Sequence, residues 1–299
     1  MRILNFGSLN LDFVYQVAHF VRPGETLSSE ELSTFPGGKG LNQSVALSRA
    51  GAEVFHAGCV GEDGGLLLDT LREAGVSCRY VRQLAGARTG HAVIQVDQSG
   101  QNCILLFGGA NQMVGEEMIE AVLKDFAPGD WLLLQNEISA LPALLRRAGE
   151  KGLRVAFNPS PITPELPHFP LENVEFFLLN EVEGAALGGG GTPEETLNGL
   201  RARFPRAKIV LTLGGDGAVC WDGAQLWRQG IFPVEAVDTT AAGDTFTGYF
   251  LTAVGEGLDA GTALRRANAA AAIAVSRKGA APSIPEKAEV EAFLSARGC

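Results

Sequence analysis

From Gly115 onward the chain alternates helix-period segments with short apolar runs, and very few architectures accept that pattern. Residues 116–126, 141–151 and 193–204 space their apolar side chains as an amphipathic helix does, while 131–135, 155–158, 174–179 and 209–213 are brief apolar runs of strand length. Strands joined through helices pair in parallel, so the pattern predicts an α/β fold, a central mostly parallel sheet flanked by helices. The start of the chain fits the same sheet. Residues 2–6 are an apolar run broken at Gly7, a buried strand ending in a loop, and open α/β sheets hold ligands at such strand ends. Residues 41–50 have helical spacing and stop at Gly51. The glycines at 188–191 make a surface loop but no linker long enough to separate large domains, so residues 1–299 read as one domain.

Two stretches depart from this pattern. Residues 13–20 and 27–35 alternate polar and apolar side chains around a Pro23-Gly24 turn signal, and residues 91–96 and 102–107 do so around Ser99-Gly100. They predict hairpins with one solvated face, forming a small β-sheet lid from about 13–35 and 90–108, apart from the main sheet.

The chain's 46% hydrophobic and 19% charged content excludes disorder, and 299 residues form a core that needs no disulfide or structural metal. Lys and Arg total 24 against 34 Asp and Glu, a net charge of −10 that repels nucleic-acid phosphates and anionic lipid. Neither nucleic acid nor a membrane is expected as a partner, and an anionic ligand must be held by local backbone N–H groups, a few cations and metal. Cys59, Cys78, Cys103, Cys220 and Cys299 are scattered and odd in number, which fits a reducing, cytoplasmic setting. No apolar stretch has the length of a membrane span, and the first residues lack the basic-then-apolar form of an export signal. His19, His56, His91 and His168 have no metal-like spacing, and Trp131, Trp221 and Trp227 sit in apolar surroundings as core residues do.

The strongest chemical signal is Asp238-Thr239-Thr240-Ala241-Ala242-Gly243-Asp244-Thr245-Phe246, where small residues precede an acid that opens an apolar-periodic helix. Small side chains leave the backbone N–H groups of residues 241–244 free to meet an anion at a helix N-terminus, where a phosphoryl group in transfer would be stabilised. Asp244 as a plain helix cap is the alternative. A second signal, Pro36-Gly37-Gly38-Lys39-Gly40-Leu41-Asn42-Gln43, is a glycine-rich turn running into a helix. It is no Walker A loop, because Ser33 stands in the first glycine's place and Gly40 where Ser or Thr would bind magnesium; no G-x-G-x-x-G follows the first strand either. Glycines there let the backbone approach a polyol, with Asn42 reaching it from the first helical turn.

Taken in order, Gly7-Ser8-Leu9-Asn10-Leu11-Asp12, the 37–43 segment, Asn158-Pro159-Ser160-Pro161, Asn180-Glu181-Val182-Glu183, Thr212-Leu213-Gly214-Gly215-Asp216-Gly217 and the 238–246 segment have the spacing of one family. The chain resembles the ribokinase-like carbohydrate kinases from Ile3 to about Phe293. That resemblance implies ATP-dependent phosphorylation of the primary hydroxyl of D-ribose, with another sugar or a nucleoside as the alternative acceptor. A sugar-binding regulator without catalysis is a further alternative, against which Gly243 and Asp244 stand. It implies Asp244 as catalytic base beside an anion hole of Ala241, Ala242 and Gly243, and sugar contacts from Asn10, Asp12, Gly38, Lys39, Asn42 and Glu137. ATP falls to Asn180, Thr212, Gly214, Gly215, Asp216, Gly217, Gly243 and Asn268, and Mg2+ to Glu183 through water. Asn180 and Glu183 also have the spacing of a capping box, and both readings can hold together. A monovalent cation, K+, is implied near Asp238, Thr240, Ala274, Arg277, Gly279 and Ser283, largely through backbone oxygens. Lids of this family pair between two subunits, so a homodimer is expected.

Overall fold

The computed structural model describes residues 1–298; Cys299 lies outside the described residues. Its strands are β1 (Arg2–Phe6), β2 (Asn10–Gln16), β3 (Glu31–Gly37), β4 (Glu53–Val60), β5 (Ser77–Gln83), β6 (Gly90–Val96), β7 (Asn102–Phe107), β8 (Trp131–Gln135), β9 (Arg154–Asn158), β10 (Val174–Asn180), β11 (Lys208–Thr212), β12 (Ala218–Trp221) and β13 (Leu226–Gln229). Its α-helices are α1 (Lys39–Arg49), α2 (Gly65–Glu73), α3 (Glu116–Leu123), α4 (Leu141–Lys151), α5 (Glu181–Gly188), α6 (Pro193–Arg203), α7 (Ala242–Gly255), α8 (Ala260–Val275) and α9 (Lys287–Ser295).

Nine strands form one sheet in the order β13-β12-β11-β10-β9-β8-β1-β4-β5. Pairing is parallel from β5 across to β11 and antiparallel only at β12 and β13, so the expected α/β architecture is present. Successive strand residues enter opposite cores, as a period of two requires. Ile3, Trp131 and Leu133 pack with α1, α7 and α8, whereas Leu4, Phe6, Leu132 and Leu134 pack with α3 and α4. The chain leaves β1 toward β4 on one side and returns to β8 on the other. A crevice therefore opens beyond the carboxyl ends of β1 and β8, the place where such sheets bind ligands.

The second sheet has four strands in the order β3-β2-β6-β7. Residues 91–96 and 102–107 pair as expected, and the structure corrects the bounds of the first hairpin. The first hairpin is β2 paired with β3, not 13–20 with 27–35, and residues 17–30 are an irregular connection. Pro23-Gly24 does mark a turn, with Gly24 at φ +80°, but the residues flanking it do not pair. The two hairpins also join, because β2 and β6 pair in parallel. Asn10 and Asp12 consequently lie in an inner strand of the small sheet, not in a loop before it. No helix among the described residues is long and apolar enough to cross a membrane.

Candidate active site

At Ala241 the backbone adopts φ +59°, a left-handed conformation rare outside glycine. That turn aims the N-terminus of α7 at a cavity of about 240 Å³ lined by Lys39, Asn180, Glu183, Thr212 and residues 241–244. The first N–H groups of a helix lack carbonyl partners within it, so this end of α7 attracts anions. A Cβ added at Gly243 would meet no protein atom within 4 Å, so protein packing does not demand glycine there. The bare backbone faces the cavity instead.

Asp244 does not cap its helix. Ala241 occupies the cap position with no side-chain bond, and the buried Asp244 carboxylate turns toward α1. There it accepts hydrogen bonds from Gln43 Nε2 at 2.8 Å and Asn42 Nδ2 at 3.0 Å. Asn42 Oδ1 is buried with no partner, an acceptor ready for a ligand hydroxyl.

The start of α1 is held from across the sheet. Glu137 Oε2 accepts the Lys39 N–H at 3.1 Å and also the Ser8 hydroxyl, while Gly40 N–H donates to Ser8 Oγ at 3.1 Å. Burial raises the Glu137 carboxyl above its ordinary range, and Lys39 partly offsets this. Burial would lower the Lys39 ammonium, but Asp244, Glu137 and Glu183 more than offset it and its pKa rises. Asp12 is pushed up from 3.8 to about 7 by burial first and by Glu137 second. Gly38, at φ +93°, lies against Asn10, whose Oδ1 accepts from Asn111 Nδ2 at 2.8 Å. The structure thus brings Asn10, Asp12, Gly38, Lys39, Asn42, Glu137 and Asp244 to one end of the crevice.

Asn180, Glu183 and Thr212 lie on the far side of the cavity. Asn180 and Glu183 form a reciprocal capping box at α5, with Glu183 N–H to Asn180 Oδ1 at 2.9 Å and Asn180 N–H to Glu183 Oε2 at 2.8 Å. Gly214, Gly215 and Asp216 form an exposed turn ended by Gly217, beyond the cavity's lining. Asn268 is also outside that lining, and its amide donates back to Leu264 O at 3.0 Å on α8.

Among the described residues no three His, Cys, Asp or Glu side chains are placed to hold a metal by themselves. The donors present still fit a hard cation. Asp244, Glu137 and Glu183 all act electrostatically on the Lys39 ammonium, and all offer oxygen. In the other candidate region, Asp238 Oδ1 accepts from Thr240 N–H at 2.9 Å, and Asp238 Oδ2 accepts the Gly279 N–H at 2.9 Å. This pins the loop before α7 to the loop after α8. Arg277 turns its guanidinium to Glu289 and Ser283 its hydroxyl to Ala280 O, which leaves Arg277 only its backbone oxygen for an ion. Oxygen-only donors suit a hard cation.

Sequence alone gave no role to several residues of the site: Gln43 and Asn158, then Gln135 and Asn111. Gln43 and Asn158 belong to the motifs described above, so a signal existed for them. Gln135 ends an apolar run, where a lone amide invites the question of what it bonds.

The pfkB family carbohydrate kinase model matches residues 2–287. Ribokinase of Haemophilus influenzae is 36% identical over 96% of this chain and 96% of its own. Among solved structures, Arabidopsis thaliana ribokinase complexed with ribose and ATP aligns with TM-score 0.88 at 31% identity, over 98% of each chain. Cryptococcus neoformans ribokinase in complex with ADP aligns with TM-score 0.85 at 33% identity, over 97% of this chain and 99% of that one. With a match over nearly its whole length, the chain belongs to the pfkB family of carbohydrate kinases.

Proposed function

We propose that this ATP-dependent sugar kinase transfers the γ-phosphoryl group of ATP to the primary hydroxyl of D-ribose, giving ribose 5-phosphate. The observation that carries the reading is Asp244: it lies beside an anion-attracting helix end, faces the cavity, and is not spent on capping. In this reading Asp244 takes the hydroxyl proton as the oxygen bonds to the γ-phosphorus. The bond to the bridging oxygen breaks, and ADP leaves. The N–H groups at the start of α7, together with Lys39, stabilise the transferring group. The Lys39 side chain lines the phosphate-side cavity, so its charge serves the phosphoryl group while its backbone anchors the sugar end through Glu137. Asn10, Asp12, Gly38, Asn42 and Glu137 hold the sugar, and Asn180, Thr212 and the 214–217 turn hold the nucleotide, with Asn268 behind them. When bound, magnesium would be held by Glu183 through water and would offset phosphate charge.

The test is turnover across D-ribose, fructose, ribitol and adenosine, with ribose expected to give the highest kcat/KM. Equal or better turnover of adenosine would overturn ribose as the substrate. Potassium is expected to raise kcat through the loops around Asp238 and Gly279, because a cation there strengthens the field at the start of α7 without touching either substrate. Equal rates in potassium and in a bulky organic cation at matched ionic strength would refute this.

Asp12 allows a test independent of turnover. In the folded protein it keeps its proton up to about pH 7, whereas the unfolded chain releases it near the ordinary 3.8. This group therefore costs stability progressively as pH rises across that window, and the cost levels off above it. Asp12→Asn is expected to gain thermal stability over wild type as pH rises from about 4 to about 7, while its KM for the sugar rises. A stability difference that stays constant with pH would refute the burial argument. The reading also places the enzyme in the cytoplasm as a homodimer joined through the β lid, with residues 1–299 forming one kinase domain.

A further inference from the structure

We propose that Gln43 is the positioning residue for Asp244, and that a buried row of polar side chains crossing the sheet beneath α1 fixes its orientation. The proposal rests on the reading of Asp244 as the base. Sheet register assembles the row. Asn5 of β1 lies opposite His56 of β4, and Gln135 of β8 points to the same face two residues beyond Leu133, which pairs with Asn5. Ser44 and Gln43 come down onto this face from α1. Asn5, Ser44, His56 and Gln135 are fully buried and Gln43 is 1% exposed.

The hydrogen bonds run outward from the Gln135 amide, toward Asp244 on one side and toward Ser44 on the other. Gln43 Nε2 donates to Asp244 Oδ1 at 2.8 Å, and Gln43 Oε1 accepts from Gln135 Nε2 at 2.6 Å. Gln135 Nε2 also donates to Asn5 Oδ1 at 3.0 Å, and Asn5 Nδ2 donates to Gly40 O and Ser44 Oγ, both at 2.8 Å. Ser44 Oγ meets His56 Nδ1 at 2.8 Å. An amide can flip, but this row is closed at both ends by groups that only accept. A carboxylate offers no donor to Gln43, and the Gly40 carbonyl offers none to Asn5. Gln135 must therefore give its NH2 to Gln43, which turns the Gln43 NH2 to Asp244, with a longer second bond to Asn158 Oδ1 at 3.4 Å. Burial pushes His56 down to about 4, against a smaller upward pull from the Gly7 backbone, so at neutral pH the row brings no charge of its own beside the base.

The row is costly for a structural element. Each buried polar group left unpaired costs about 1–3 kcal/mol, and apolar side chains would fill the same volume without that risk. Two are unpaired: His56 Nε2 is buried without a partner, and so is Gln135 Oε1. It lies where a Cβ on Gly7 would come within 2.3 Å, so Gly7 leaves the space in which the Gln135 amide sits. With Asn42 gripping the other oxygen, the row holds the Asp244 carboxylate at two points.

The experiment measures kcat, both KM values and thermal stability for wild type, Gln43→Met, Gln135→Met, Asp244→Asn and the Gln43→Met/Asp244→Asn double variant. Gln43→Met is expected to lower kcat roughly 10–100-fold, as misplacement of a reacting group does, with each KM changed less than about threefold. In the Asp244→Asn background the same substitution is expected to cost less than about twofold, because a residue acting through Asp244 has nothing left to act through. Gln135→Met leaves the Gln43–Asp244 pair in place, yet it is expected to lower kcat by a smaller factor, and it carries the test if Gln43→Met does not fold. A wild-type kcat in either folded variant, or full additivity in the double variant, overturns the positioning role. An unchanged kcat in Asp244→Asn overturns the reading of the base itself, a different and separable result.

Discussion

Asp244→Asn is expected to lower kcat by roughly 10²–10⁴-fold, the range for losing a general base, with both KM values and the folded structure little changed. The structure explains why the fold should tolerate it. Asp244 caps nothing, so the substitution takes no bond from α7. The new amide oxygen can accept from Gln43 as the carboxylate does. The new amide nitrogen would face Asn42 Nδ2, a donor against a donor, but the unpartnered Asn42 Oδ1 can take its place by a flip of that amide. Shape and bonding therefore survive while basicity is lost, since an amide oxygen is far too weak a base to accept the hydroxyl proton. Steady-state kinetics beside a thermal melt separates the two effects. A folded Asp244→Asn enzyme with near wild-type kcat would show that the proton goes elsewhere.

How much of this was legible in the sequence depended on whether one segment held the whole signal. The alternation after Gly115 exposed the parallel sheet because the strands there are short runs with an apolar centre, as β8 and β11 illustrate. The helix ends were also local. The Asn180-Glu183 capping box and the glycine turn into α1 are each written within a few residues. The first hairpin's bounds failed for a physical reason: β2 begins inside a stretch that reads as a strand-end loop, and its parallel partner β6 lies about eighty residues away in the chain. The relay behind Asp244 was hidden for the same reason. Gln135 and Asn5 are 130 positions apart, and Gln43 and Asp244 are 201 apart. Only sheet register brings them together. Asn111 was equally silent, an amide in a glycine-led loop whose bond to Asn10 spans 101 positions.

Register also shapes the last expectation, that Ile104→Asp converts a dimer into a monomer. Cross-strand pairs share a face, so Asp12 lies with Phe35, Ala92 and Leu106, and Val14 with Ile94 and Ile104 on that same side. The small sheet therefore turns one face that carries Asp12 toward the crevice and continues past it as an apolar surface. Ile104 is 60% exposed there and Leu106 47%. Strand β7 is also an unpaired edge, exposed along its whole length. Apolar surface on an open edge needs a cover, and a second copy of the same lid offers a matching one. In a twofold dimer every substitution counts twice. If Ile104 contributes the roughly 2 kcal/mol of an interface anchor, the pair loses about 4 kcal/mol, close to a thousandfold in dissociation constant. Light scattering should then give wild type at twice the 31.5 kDa chain mass and Ile104→Asp at the chain mass itself. Leu66→Asp, at an exposed leucine on α2 outside the small sheet, is expected to leave the assembly unchanged. Because the lid carries Asp12 and Asn10, the monomer should also lose sugar affinity more than ATP affinity. A wild-type monomer at micromolar concentration, or an Ile104→Asp dimer of undiminished stability, would remove the lid from the interface.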